Sequence, residues 1–254
     1  MQPLIGFQTL VWREIVRFLS VIRQTIFPPV VSSFLYIFIL GFYLGGRIYV
    51  VEGLPYLTFI IPGLIMMYVI DSSYQNTSSS LFISRWQNNI EELLVTPLSY
   101  IEMVLAMLIG GLARSLVTAS GVFLVSLIFV RFPVAHPWAV LYFFVFVSLI
   151  FSSIGMIVGL FAEEFEHLTV ATTFVITPLI FFGGVFHSIA MVPEPLRWLT
   201  VFNPMFYMIS GMRYGMLGVQ DAPVGTSVAV VFFLFLSLFM ITVHLFKIGF
   251  KLRK

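Results

Sequence analysis

The carboxylate of Asp71 is the side chain with the clearest chemical potential in this sequence. It interrupts a long apolar run, and Tyr74, Gln75 and Asn76 follow it within two helical turns. An acidic side chain inside a membrane is costly and usually has a function. Asp71 would be the relay of a proton-coupled carrier; the alternative is a residue that lines a water-filled cavity or makes a structural contact. We favour the alternative, because the sequence shows no partner base for it.

A second group of ionisable side chains, EEFEH, runs from Glu163 to His167. Metal binding is the weaker interpretation of Glu163, Glu164 and Glu166, because adjacent acids on a short loop are usually solvated. The four histidines lie far apart, without the paired spacing of a metal site, and the absence of Cys excludes thiolate ligands. A contact with a partner protein and a simple solvated loop stand as equal alternatives for the three glutamates.

The sequence carries no signature of a hydrolase. It has no GxxxxGK[ST] sequence and no Gly-Lys dipeptide, so it cannot form the phosphate-binding loop of an ATPase. It also has no Gly-x-Ser-x-Gly elbow, and the adjacent His187 and Ser188 do not support a serine hydrolase. We therefore expect no catalytic residue, no metal and no cofactor in this chain.

The composition decides the class of protein that must position these side chains. Hydrophobic residues make up 60% of the chain and charged residues 9%, and the mean hydropathy is +1.06. Soluble domains carry about 25% charged residues, so this chain cannot cover a water-facing surface. Its 254 residues provide about six spans of ~20 residues with their connections, but no additional soluble catalytic domain. The net charge of +2 gives no argument for nucleic acid.

We predict an all-α polytopic membrane protein with residues 1–254 as a single transmembrane domain. Gly110 and Gly111 are expected to break the third span. Six apolar runs define the spans, at about 26–46, 55–81, 101–130, 138–162, 168–185 and 228–246.

Two further segments flank or separate the spans. Residues 1–25 place Arg13 and Arg17 opposite an aromatic and aliphatic stripe, which predicts an amphipathic helix in the membrane interface. Residues 186–224 are too broken by Pro and Gly for one span and too apolar for an ordinary loop. We interpret them as a re-entrant helical pair on the outer side, between the fifth and sixth spans.

The distribution of basic residues predicts the orientation. The side that holds the termini carries eight of them and the other side four, which places both termini in the cytoplasm. The eight are Arg13, Arg17, Arg23, Arg85, Lys247, Lys251, Arg253 and Lys254; the four are Arg47, Arg131, Arg197 and Arg213.

The stretch RWQNNIEELLVTP, from Arg85 to Pro97, is unusually polar and has helical periodicity. Its apolar residues recur at spacings of three and four, and the polar residues occupy the sides and back. Glu91 and Glu92 would be repelled by an anionic leaflet, so we favour docking to another protein over a plain connector. The docking residues of this stretch are predicted to be Arg85, Trp86, Asn89, Glu91, Glu92 and Leu93.

The same stretch carries a family resemblance. NNIEELLVTPLS, from Asn88 to Ser99, resembles the cytoplasmic coupling segment of type-2 ABC exporter permeases. Three further stretches resemble the second span, the end of the fifth span and the signature before the sixth. They are FIIPGLIMM, TPLIFFGGVFHSI and FNPMFYMISGMRYGMLG, in the family's order, so the resemblance covers nearly the whole chain.

The resemblance implies a permease that forms half of a transmembrane dimer, here expected to be a homodimer in the bacterial inner membrane. Two separate ATPase subunits would bind below it and hold ATP and Mg. Residues 82–99 would be the coupling helix seated in a groove of each ATPase, and Glu163, Glu164 and Glu166 a secondary contact. The helices after the fifth span would dip into the outer leaflet and help close the outward gate. Family members export drugs, lipids or lipid-linked polysaccharides, so we expect an amphipathic or lipid-like substrate.

Candidates for the translocation pathway or its gate follow from position and side-chain type. For each tyrosine, plain lipid-facing or interfacial packing is the competing interpretation. A proton-coupled carrier that uses Asp71 is the rival function, and a scaffold without transport is a third. The candidates are Tyr36, Tyr43, Asp71, Tyr74, Gly183, Gly184 and Phe186.

Overall fold

The computed structural model describes residues 2–43, 50–87, 89–90, 96, 98–131 and 134–252, with the side chains of 2–4 and 42–43 outside the description. Within these residues, six helical stretches are long and apolar enough to cross a membrane. They are Ile22–Gly41, Tyr56–Trp86, Tyr100–Phe129, Pro137–Phe161, Phe165–Phe182 and Val224–Lys247. The predicted all-α fold with six spans is confirmed.

Helices account for nearly all of the described regular structure. One hairpin, made of two antiparallel strands of two residues each, precedes the second span. In chain order the elements are α1 (Gln2–Ser20), α2 (Ile22–Thr25), α3 (Phe27–Tyr43), β1 (Val50–Val51), β2 (Leu54–Pro55), α4 (Tyr56–Trp86), α5 (Tyr100–Phe129), α6 (Pro137–Phe161), α7 (Phe165–Ala171), a π-helical turn (Thr172–Ile176), α8 (Thr177–Phe182), 3₁₀ turns at Ile189–Met191 and Glu194–Leu196, α9 (Arg197–Val201), α10 (Pro204–Leu217) and α11 (Val224–Lys247).

Helix α4 lies at the centre of the bundle and is buried along most of its length. It packs most extensively against α6 and then against α5. Small residues allow this close approach: a Cβ on Gly155 would lie 2.5 Å from the carbonyl oxygen of Tyr74. The hydroxyl of Thr77 donates a 2.8 Å hydrogen bond to the carbonyl of Ser152 across the same contact. Small side chains and interhelical hydrogen bonds are the usual means of packing helices in membranes.

Gly110 and Gly111 do not break the third span, contrary to the prediction, because α5 is continuous across them. Their role is contact with neighbouring helices. A Cβ on Gly110 would lie 2.6 Å from the Cβ of Glu14, and one on Gly111 would lie 2.1 Å from the hydroxyl of Ser152. The two glycines therefore provide space for α1 on one side and α6 on the other.

The remaining spans surround this centre. The first, fifth and sixth spans expose most of their apolar side chains, in contrast to α4 and α6. In a protein of this class such surfaces face lipid or another subunit.

Helix α1 packs against α5 through one narrow face. Leu10, Glu14 and Phe18 recur every fourth residue and are buried, whereas Ile5 and Trp12 are 62% and 65% exposed. A position of this helix in the membrane interface remains a prediction.

The segment 186–224 contains two 3₁₀ turns, α9 and α10. Helix α8 ends at Phe182, and the turn after it requires glycine because Gly184 has φ of +90°. Asn203 joins the segment to the fifth span: its side-chain amide donates to the carbonyl of Leu179 at 2.6 Å, and its side-chain oxygen caps α10. Insertion of this segment into a membrane as a re-entrant pair remains a prediction.

Candidate functional site along the second span

A chain of polar side chains crosses the middle of the bundle on α4. The side-chain amide of Gln75 donates to both oxygens of Asp71, at 2.8 and 2.9 Å, one helical turn away. Its carbonyl oxygen accepts a 3.3 Å hydrogen bond from Arg114 on α5. Arg114 thus finds an acceptor on a neighbouring helix, and Asp71 is held by a neutral amide.

Asp71 lines a cavity of about 250 Å³ between the first, second and fifth spans. Tyr36 and Tyr68 line the same cavity. The ring of Tyr36 lies 6.0 Å from the ring of Phe186, which in turn lies 5.4 Å from that of Phe181. The structure therefore brings three of the pathway candidates, Tyr36, Asp71 and Phe186, into one neighbourhood. The role of Asp71 in transport stays a prediction.

Other pathway candidates lie elsewhere. Tyr74 is 1% exposed, and its hydroxyl donates a 2.9 Å hydrogen bond to the carbonyl of Leu168, so it joins α4 to α7. Gly183 and Gly184 form the turn after α8, next to Phe186. The side chain of Tyr43 lies outside the described residues.

Helix α4 continues five residues beyond Leu81, where the second span was predicted to end, and stops at Trp86. The first residues of the predicted coupling segment are thus a direct extension of the central helix. Trp86 is 67% exposed and Asn89 is also exposed, so both side chains are accessible to a partner. The remaining docking residues, Glu91, Glu92 and Leu93, lie outside the described residues.

Arg85 makes its contacts within the chain. Its Nη1 donates to the carbonyls of Gly159 and Ala162, at 2.8 and 3.1 Å, at the end of α6. Its Nε donates to the carbonyl of Lys251 at 2.7 Å. Arg85 therefore connects the end of α4 to α6 and to the C-terminal tail by hydrogen bonds.

The acidic loop lies beside this end of α4. Glu163 forms a 3.3 Å ion pair with Lys251, and Glu164 and Glu166 are exposed. The ring of Phe165 contacts that of Phe82 at 5.9 Å, edge to face. Among the described side chains, no three of the His, Asp and Glu type come together as a metal ligand set would. The acidic loop thus lies beside Phe82, the first residue of the predicted coupling segment.

The start of α5 carries a feature that the sequence analysis overlooked. Ser99 and Glu102 form a capping box: the backbone N–H of Ser99 donates to the Glu102 carboxylate at 2.7 Å, and the Ser99 hydroxyl accepts from the backbone N–H of Glu102. The Ser-x-x-Glu spacing is a readable signal for a helix start. It fixes where the third span begins after the coupling segment.

Glu14 is a second residue that sequence reasoning missed. Its side chain is fully buried, and both carboxylate oxygens accept from the hydroxyl of Ser80 at 2.8 and 2.9 Å. Arg13 and Arg17 each approach it to 3.2 Å. Arg17 also donates to the backbone and side-chain oxygens of Asn76, at 2.7 and 3.0 Å. These contacts attach α1 to the polar half of α4.

At the opposite end of the bundle, four segments meet around Asp221. Its side chain and that of Arg213 are each 2% exposed and form a direct ion pair. The hydroxyl of Ser188 hydrogen-bonds to Asp221 and to Glu52, at 2.9 Å from the latter, and the backbone N–H of Ile189 donates to Asp221 at 3.2 Å. We call Glu52, Ser188, Arg213 and Asp221 the outer cluster. It connects the β1–β2 turn, the loop after α8, α10 and the link before α11.

Burial sets the electrostatics of the outer cluster. It lowers the pKa of Arg213 to about 10, against the opposing effect of Asp221, so the guanidinium is still charged at neutral pH. The guanidinium also donates to the carbonyl of Gly184 at 2.7 Å and lies 3.8 Å from the ring centroid of Phe59. Burial, followed by the charge of Arg213, lowers the pKa of neighbouring His187. The cluster is thus a buried charge pair beside a histidine that favours its neutral form.

The amino-acid sequence matches a known family of membrane proteins. The profile of the ABC-2 type transporter family matches residues 5–217, which include five of the six spans. The chain belongs to the ABC-2 type transporter family. The resemblance inferred from the sequence is confirmed, and the chain is a membrane subunit of a transporter.

Several individual proteins are also similar to this chain. The inner membrane transport permease YadH of Escherichia coli (strain K12) is 41% identical over 96% of this chain and 95% of YadH. Nodulation protein J of Rhizobium leguminosarum bv. viciae is 24% identical over 84% of this chain and 83% of its own length. Nodulation protein J of Rhizobium meliloti (strain 1021) is 26% identical over 85% and 83%.

Proposed function

We propose that the chain is the permease subunit of an ATP-driven exporter. It moves an amphipathic or lipid-like substrate out of the cytoplasm or the inner leaflet of the bacterial inner membrane, with both termini in the cytoplasm. It works as a homodimer with two copies of a separate ATPase subunit, which bind ATP and Mg. The 41% identity to YadH over nearly the full length of both proteins is the observation that carries this proposal.

The layout of α4 supports the coupling part of the proposal. The helix reaches the exposed Trp86 at the cytoplasmic end without interruption, and the acidic loop packs beside it. ATP-driven closure of the partner subunits displaces residues 82–99. That displacement changes the relative position of the central helices and opens the pathway to the outside.

The experiment is affinity purification of the detergent-solubilised chain from its native host, followed by mass spectrometry and an ATPase assay. We expect a subunit that carries the GxxxxGK[ST] sequence, in equal amount, and ATP hydrolysis by the complex. Glu91→Arg combined with Glu92→Arg should remove both, whereas the control Glu194→Arg, an exposed acid near the opposite end, should remove neither. Retention of the ATPase by the double variant would show that residues 82–99 are not the docking element.

The same preparation tests the proton-coupled alternative. The structure holds Asp71 with the neutral amide of Gln75, an arrangement that uses the carboxylate as an acceptor. A chain that purifies alone, without hydrolysis, and whose transport is abolished by Asp71→Asn would replace the exporter by a proton-coupled carrier.

A further inference from the structure

A second cavity, of about 540 Å³, lies nearer the chain termini than the cavity of Asp71. Residues from α1, α2, α4, α5 and α7 line it. We call it the lower cavity. Its volume is within the range of pockets that hold small ligands.

The charged side chains in the lining of the lower cavity are two arginines, Arg17 and Arg114; the lining contains no Asp or Glu. The nearest acidic side chains contact other groups or line the other cavity. Glu14 is fully buried against Ser80 and two arginines, and Asp71 lines the other cavity. Arg17 is one of those two arginines, so Arg114 is the cation of the lining that has no ion pair among the described residues.

Arg114 has unused hydrogen-bonding capacity. It is 6% exposed, yet the hydrogen bond of its guanidinium to Gln75 is a weak one of 3.3 Å, and its buried Nε has no partner among the described residues. The buried Nε of Arg17 and the side-chain nitrogen of Asn76 are also unpaired there. A buried cation without an anion is costly, so an anionic ligand at this position would satisfy groups that the protein leaves open.

The lining of the lower cavity also contains apolar side chains. Phe18, Ile83, Phe165 and Leu168 contribute rings and aliphatic groups, and Thr169 and Thr173 contribute hydroxyls. A guanidinium fork matches the oxygens of a phosphate, and the hydroxyls extend that donor set. A lining that combines such donors with apolar side chains fits a molecule with an anionic head and an apolar tail.

We propose that the lower cavity binds the phosphate-bearing headgroup of a net anionic membrane amphiphile, with Arg114 as its main donor and Arg17 beside it. The proposal of a binding site depends only on the residues that line the cavity. The additional proposal that the headgroup belongs to the transported substrate depends on the proposed export function.

The test is a binding titration of the purified full-length chain in detergent, followed by native mass spectrometry. The probes are dioctanoyl phosphatidylglycerol, dioctanoyl phosphatidylcholine and inorganic phosphate. We expect phosphatidylglycerol to bind at least about tenfold more tightly than phosphatidylcholine. Arg114→Gln should weaken phosphatidylglycerol binding by about tenfold, the effect of one lost charge-assisted hydrogen bond. The matched control is Arg131→Gln, which removes an exposed arginine outside the cavity and should bind like the unmodified chain.

A second variant keeps the test decisive if Arg114→Gln does not fold. Thr169 is exposed, and its side chain makes no hydrogen bond in the described structure. Thr169→Glu therefore adds a negative charge to the lining and leaves both arginines in place. It should weaken phosphatidylglycerol binding and leave phosphatidylcholine unaffected. Equal binding of the two lipids, or unchanged affinity in Thr169→Glu, would overturn the proposal.

Inorganic phosphate distinguishes the two sources of the anion. Failure of millimolar phosphate to displace phosphatidylglycerol supports an amphiphile, whereas displacement at equal affinity would assign the site to a free oxyanion and refute the amphiphile. The assay needs no ATPase. Headgroup binding by the purified chain, together with an affinity purification that recovers no ATPase subunit, would therefore refute export and leave the binding site supported.

Discussion

Removal of the charge of Asp221 should destabilise the protein strongly. Asp221→Asn keeps the shape of the side chain but leaves the guanidinium of Arg213, only 2% exposed, without its counter-charge. Breaking a buried ion pair by removing one partner costs about 3–5 kcal/mol. For a chain of this size each kcal/mol corresponds to about 2–4 °C, so the melting temperature should fall by about 6–20 °C.

The assay is thermal unfolding of the purified chain in detergent, followed by intrinsic tryptophan fluorescence. The matched control is Glu194→Gln, which breaks the Glu194–Arg197 pair in the same outer segment. That pair spans 3.6 Å and Glu194 is 86% exposed, so the shift should stay within about 2 °C.

A double variant separates the unpaired charge from lost packing. Arg213→Met combined with Asp221→Asn removes both charges, and because no bare cation remains buried it should recover more than half of the loss. The reasoning fails if Asp221→Asn melts within 2 °C of the unmodified chain. It also fails if the double variant loses as much as the two single variants together.

Three further predictions concern other parts of the chain. Glu14→Gln should cost about 3 kcal/mol and increase hydrogen exchange in α1, because it removes the buried negative charge that pairs with Arg17 and one of the two oxygens that accept from Ser80. Arg13→Gln, at a half-exposed side chain, should cost under about 1 kcal/mol, and equal exchange in the two variants would contradict this. The pKa of His187 is lowered, so its imidazole binds a proton less readily in the folded state than in the unfolded state. Stability should therefore fall as the pH drops below the ordinary histidine value of about 6.5. His187→Gln should flatten the dependence of the melting temperature on pH between 7.5 and 5.5, and an unchanged slope would contradict this prediction. Ser99→Ala should cost about 1 kcal/mol by removing the capping box, whereas Ser237→Ala, in the exposed part of α11, should be nearly neutral by the same unfolding assay.

The spans were predictable because hydrophobic runs of membrane length have few alternative structures. The requirement of Arg114 for an acceptor on another helix was also predictable from its depth, but its partner was not. Gln75 lies 39 residues away, and only the packing of α4 on α5 brings them together. The helix of the second span continues past Leu81 to Trp86, and no local signal predicted that Arg85 donates to a carbonyl of α6.

Part of the missed information was present in the sequence. Leu10, Glu14 and Phe18 recur every fourth residue, which places the carboxylate on the buried face of α1. Arg13 and Arg17, on either side of Glu14 in the sequence, give the stripe its basic character and mask the acid between them. The outer cluster had no comparable local signal, because its members come from four segments that only the fold brings into contact.

The unbroken course of α4 has a mechanical consequence. At 1.5 Å per residue its 31 residues extend about 46 Å, with Asp71 near the midpoint. A tilt of about 5° around that midpoint would move the two ends by about 2 Å in opposite directions. The outer end is held by a 3.1 Å hydrogen bond from the hydroxyl of Tyr56 to the carbonyl of Phe186, which a displacement of that size breaks.

Pro62 makes α4 less rigid between Tyr56 and Pro62 than in the rest of the helix. It lies inside α4, six residues from its outer end, and its missing N–H removes one hydrogen bond from the helix. The section from Pro62 to Trp86 is therefore expected to move as one body, with bending of α4 concentrated in the turn before Pro62. A displacement at the Trp86 end would then be carried to the polar face around Asp71, and the bend at Pro62 would set how much of it arrives at the Tyr56 end.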